Sequence, residues 1–125
     1  MYLLIYEFLH VAQIMLLLKI LGNDLIAWIS AISGALMLDI DHLPLIKKFG
    51  LRKFIYLRTK VEAKKPRKYA FHNFFVLGAT LIGSFLILNQ WSFYFGIFFL
   101  SAFLHLIIDL VYAFVFLHTI EHWFP

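Results

Sequence analysis

Four stretches of the chain are apolar for about the length a bilayer core demands of a helix, roughly 20 residues. The first runs over 2–21 and ends at Gly22-Asn23. The second runs over 24–43, with Asp24 placed as its N-cap and Pro44 as the residue that stops or kinks it. A third spans 70–88, and Asn89-Gln90-Trp91-Ser92 separates it from a fourth over 93–117. Small residues recur inside these runs: Ala27, Ser30, Ala31 and Gly34 in the second, Ala79 and Gly83 in the third. Such stripes let helix backbones approach closely in a membrane. The pattern predicts an all-α fold, an integral membrane four-helix bundle in one domain, with a basic cytoplasmic segment over 47–69 joining its second and third helices.

Composition strengthens this picture. Hydrophobic residues make up 63% of the 125 and charged residues only 14%, with a mean hydropathy of +0.88. Soluble domains are about half apolar and a quarter charged. Ten of the eleven Lys and Arg lie between Lys47 and Lys68. That distribution fits the positive-inside rule and an inner-membrane location with both termini cytoplasmic, and it names anionic lipid headgroups as neighbours of the basic segment. Nucleic acid is not expected as a partner. Within the segment, Phe49, Leu51, Phe54, Ile55 and Leu57 alternate with Lys48, Arg52, Lys53 and Arg58, which reads either as an amphipathic surface helix or as a solvated linker. Residues 1–21 lack a basic start and a small-residue cleavage site, so they read as a retained helix.

Against this apolar background the ionisable residues stand out, because a charge inside a span is expensive and marks a functional site by default. The first helix carries Glu7, His10 and Gln13 on one drifting stripe. The second ends in Asp39-Ile40-Asp41-His42, where Asp39 and His42 share a face and Asp41 points away. The third opens with His72, and the fourth contains His105 and Asp109 at i, i+4 on one side. At about 1.5 Å of rise per residue, His10 and Asp109 lie roughly 12 Å from the cytoplasmic ends, Asp39 roughly 6 Å and His105 roughly 18 Å, with His72 near the boundary. Four helices bringing imidazoles and carboxylates to similar depths is how bundles assemble metal sites. With no cysteine in the chain, any metal takes nitrogen and oxygen ligands, which suits zinc first and manganese or iron next. Glu7 falls to an outer role, orienting His10 or a water. Each element also has a plainer reading: His10 as a core histidine, the Asp39–His42 run as a headgroup-level cluster, His105 with Asp109 as an internal ion pair. His118, Glu121 and His122 read as part of an interfacial tail, with Trp123 and Phe124 as headgroup anchors.

The order of these motifs resembles the YdjM-type, LexA-binding, inner-membrane-associated family of metal-dependent hydrolases: an early His, a helical Asp-x-Asp-His, a His opening a helix, and His-x-x-x-Asp in the last helix. The resemblance spans most of the chain. It implies His10, Asp39, Asp41, His42, His72, His105 and Asp109 as metal ligands. One departure is clear. The family usually has His-Arg-Gly-x-Thr-His before the third helix, where this chain reads Arg67-Lys68-Tyr69-Ala70-Phe71-His72, leaving Arg67 as the expected anion contact. More distantly, ligand order is similar to that of zinc-dependent phospholipase C and P1-type nucleases. The expectation is a hydrolase of phosphoesters, a phospholipid among them, at the cytoplasmic face, with Asp39 or Asp41 accepting the proton. The competing classes are a metal-binding or bis-His haem protein without catalysis, with His10 and His105 as axial ligands, and a transport or structural subunit.

Overall fold

The computed structural model describes residues 2–50, 70–117 and 123–124, and among them the structure is all-helical, with no strand. The basic stretch over 51–69, with its surface-helix reading, lies outside the described residues, as do His118, Glu121 and His122 and the side chains of Glu7 and Asp41.

Helix α1 (Tyr2–Leu21) has the predicted bounds. It ends where Gly22 takes a positive φ of 66°, a conformation open to glycine and strained for other residues. Asp24 then caps α2 (Leu25–Leu38): the backbone N–H groups of Ile26 and Ala27 donate to its Oδ1 at 2.9 and 3.1 Å. The expected helix over 24–43 is corrected at its far end. The chain tightens into a 3-10 turn over Asp39–His42 and restarts as α3 (Leu43–Phe49), closed by Gly50. Pro44 ends no helix. It sits in the first turn of α3, where a missing N–H leaves no intrahelical bond unmade.

The third helix also begins later than the apolar run suggests. Asn73 caps α4 (Phe74–Ser84), accepting from the Val76 N–H at 3.0 Å, so His72 stands on a bend ahead of the helix. After a 3-10 turn at Phe85–Leu88 and another at Gln90–Ser92, α5 runs over Phe93–Tyr112 and widens into a π turn at Ala113–Leu117.

Helix α5 is central, packing chiefly on α2 and α4 and also on α1. The small stripe of α2 meets it: Ala27, Ala31, Gly34 and Ala35 are buried, and a Cβ on Gly34 would overlap the Phe98 carbonyl. Two core clusters result. One holds Leu17, Ala27, Ala31 and Ile97 near the short turns; the other holds Leu38, Ala102, Leu106, Ala113 and Trp123 at the opposite end. Most large apolar side chains point outward, among them Phe8, Ile20, Phe75, Ile82 and Leu88. Among the described residues, one stretch, Gln90–Val115, is long and apolar enough to cross a membrane, whereas Phe8–Leu21, Leu25–Leu38 and Phe74–Leu88 are apolar but shorter.

Trp123 corrects the sequence reading of an interfacial anchor. It is fully buried, in the core cluster with Leu38, Ala102, Leu106 and Ala113.

Candidate metal centre

His105 and Asp109 lie one turn apart on the face of α5 that the bundle covers, and both are buried. Their i, i+4 spacing alone aligns them, as the sequence predicts. Helix α1 adds His10, whose Nε2 lies 3.2 Å from Asp109 Oδ1 and whose ring leans on that of His105 with centroids 4.2 Å apart. The bend before α4 adds His72, with Nε2 2.7 Å from Asp109 Oδ2. The 3-10 turn adds Asp39, whose Oδ1 is 3.7 Å from His105 Nε2. His105 Nε2 in turn stands 3.3 Å from Asp109 Oδ2. The Asp109 carboxylate is thus shared: Oδ1 faces His10, and Oδ2 faces His72 and His105.

His42 is buried too, its ring edge-on to that of His72 at 5.1 Å. Of the seven candidate ligands, then, His10, Asp39, His72, His105 and Asp109 come together, and His42 stands against His72. The seventh, Asp41, has a side chain outside the described residues.

The donor atoms form two overlapping groups, His10–His105–Asp109 and Asp39–His72–His105, each within 4.8 Å and sharing His105. Metal–ligand bonds of roughly 2.0–2.1 Å in tetrahedral geometry place ligand atoms about 3.3 Å apart. The 3.2 and 3.3 Å separations around Asp109 are close to that spacing. His105 Nε2 is buried and faces two carboxylates, Asp109 Oδ2 at 3.3 Å and Asp39 Oδ1 at 3.7 Å. Ionisable groups gathered in a buried place are costly unless they are paired with one another or coordinate a metal. Nitrogen and carboxylate donors without sulfur are the chemistry such an ion requires, and these His/Asp clusters could hold a metal ion.

Solvent access is uneven. The Asp109 side chain is 7% exposed and that of Asp39 is 42% exposed. One carboxylate is enclosed while the other is partly exposed.

Two features escaped the sequence reading. Gln13 Nε2 donates to the Ser101 carbonyl at 2.9 Å, a buried bond that pins α1 to α5 one turn from the His10–His105 stack. The stripe containing Gln13 was visible, and Ser101 precedes His105 by one turn on the same face, so the pairing left a trace in the sequence. The second is Trp123, whose ring lies edge-on to His72 at 6.4 Å. Nothing in its local sequence separates a buried indole from an interfacial one.

Comparison with known proteins finds no match to this chain among family models, curated proteins or solved structures.

Proposed function

We propose that this chain is a multi-pass inner-membrane, metal-dependent hydrolase that acts on a phosphoester at the cytoplasmic face, of the YdjM-type family that its motifs resemble. The observation that carries the reading is the convergence of His10, Asp39, His72, His105 and Asp109, with the Nε2 of His105 buried and facing the carboxylates of Asp39 and Asp109. Zinc is the ion best suited to that donor set.

Support for the membrane comes from the inverted surface. Buried positions of α2 and α5 are largely alanine, glycine and serine, while Phe, Ile and Leu face outward on every long helix. Contiguous exposed apolar area of that kind marks an interaction with something apolar. Besides the long α5 stretch, α1 counts 20 residues, enough to span a hydrocarbon core.

Support for catalysis comes from the exposure of Asp39. Structural zinc sites are closed by protein ligands, and catalytic ones keep a position open. His10, His105 and Asp109 would form the enclosed part of the ligand set, and Asp39 and His72 its open side. A divalent ion held there would supply Lewis acidity toward a water and a phosphoryl oxygen. Asp39, partly exposed, is the carboxylate placed to accept a proton at its Oδ atoms. Asp109 orients three imidazoles at once and keeps their Nε2 atoms converging. Basic residues of the 47–69 segment, Arg67 and Lys68 among them, draw the anionic substrate toward the mouth. The haem alternative fares worse, because the His10 and His105 rings stand 4.2 Å apart and leave no space for a macrocycle between them.

The test is elemental analysis of detergent-purified protein beside turnover on a phosphoester panel, before and after chelation. His105→Ala is expected to abolish both metal content and turnover. Retention of the metal by that variant refutes the assignment.

A further inference from the structure

Three of the five converging side chains, His10, His105 and Asp109, are held by α-helices and need little else to fix their direction. His72 is different. It stands on a bend, where the backbone is set by Asn73, whose Nδ2 donates to the Ala70 carbonyl at 2.8 Å while its Oδ1 caps α4. That arrangement fixes the main chain, while the imidazole points its Nε2 at Asp109 Oδ2, 2.7 Å away, with the rings of His42 and Trp123 edge-on beside it.

One of those rings comes from the far end of the sequence. Trp123 meets the His72 ring edge-on, with centroids 6.4 Å apart and planes at 79°, and it also contacts Phe74, the first residue of α4, at 5.7 Å. The indole is fully buried among Leu38, Ala102, Leu106 and Ala113. Those neighbours are not arbitrary: Leu38 precedes Asp39, Leu106 follows His105, and Ala102 and Ala113 are small enough to leave an indole-sized recess beneath α5. Phe124 adds a second ring against Phe74 at 5.1 Å. Trp123 therefore meets the bend and the head of α4, and it shares a core cluster with Leu38 and Leu106, the chain neighbours of Asp39 and His105.

We infer that Trp123 is a positioning residue of the metal centre, a wedge that holds the His72 imidazole toward Asp109. The inference rests on the metal reading given above and extends it: the end of the chain is a working part of the site. Its role is transmitted through His72, since the helix-borne ligands keep their direction without it. Removing the indole takes away one wall of the His72 ring and loosens its aim at Asp109 while the His10–His105–Asp109 group stays in place.

The experiment is a double-mutant cycle on zinc affinity, using full-length protein in detergent and comparing the unmodified chain, Trp123→Ala, His72→Ala and the double variant. Because Trp123 works through His72, Trp123→Ala should weaken zinc binding by about 10–100-fold, the range for a lost supporting contact, and should add nothing in the His72→Ala background. Trp123→Phe, which keeps an aromatic edge, should restore most of the affinity. A second measurement does not require the alanine variant to fold. With Trp28→Phe and Trp91→Phe leaving Trp123 as the sole indole, Co2+ should quench its emission on binding and excess Zn2+ should restore it.

Additive losses in the cycle, or an emission that Co2+ leaves unchanged while it binds, overturn the positioning role and leave the metal reading intact. Failure of the unmodified protein to bind Zn2+ at all overturns the metal reading, and the role of Trp123 with it.

Discussion

The two ends of the bundle solve the same problem, polar groups among apolar helices, in opposite ways. At the end bearing the short turns, polar side chains find local partners. Asp24 caps α2 with Oδ1 and accepts from the Tyr94 hydroxyl with Oδ2 at 3.1 Å; Trp28 Nε1 donates to the Gly22 carbonyl at 2.7 Å; Asn89 Oδ1 accepts from the Trp91 N–H. These bonds finish helix ends and tie α2 to α5. At the opposite end, imidazoles and carboxylates from α1, the 3-10 turn, the bend and α5 face one another, gathered around the buried Asp109. The first end spends its polar groups on the fold. The second holds them ready for a ligand, at a cost in burial that a fold alone gives no reason to bear.

Substitutions should break this contrast in order of size. Asp109→Asn removes the charge on which His10, His72 and His105 converge, and it should lower metal affinity beyond the ~100-fold that loss of an outer-shell contact produces. Equilibrium dialysis with zinc reads the change, and an affinity close to that of the unmodified protein would remove Asp109 from the centre. Asp39→Asn should separate binding from turnover. The enclosed His10–His105–Asp109 group keeps the ion, while loss of the proton acceptor lowers kcat by about 10²–10⁴-fold. A variant with full turnover assigns the proton transfer elsewhere.

The smallest effect belongs to the other end. Asp24→Ala deletes the cap of α2 and the acceptor of the Tyr94 hydroxyl, and caps contribute about 1 kcal/mol. A modest fall in thermal stability with unaltered metal content is expected. If metal is lost as well, the two ends are coupled and the division between them is mistaken.

The legible parts of this architecture are the ones that local physics sets. The bounds of α1 follow from an apolar run closed by Gly22-Asn23, the start of α2 from an Asp before such a run, and the pairing of His105 with Asp109 from helical repeat alone. The start of α4 was readable in principle, because Asn73 ahead of an apolar run is a capping signal; hydropathy over 70–88 concealed it. The tight turn at Asp39–His42 was not readable, since Pro44 signals a break without saying whether the chain stops or rewinds.

What the amino-acid order determined by itself is the helical class, the excess of outward apolar surface and the identity of the residues able to bind a cation. Only the tertiary structure decided that these residues meet. His10 and Asp109 are 99 positions apart, and their contact depends on how closely α1 and α5 approach and on the rotation of each about its axis. His72 stands on a bend, and Trp123, 51 positions later, packs edge-on against it within the core cluster. Hydrophobic periodicity is a property of neighbouring residues and carries no information about such distances, whereas packing around Gly34, Ala102 and Ala113 fixes them through volume.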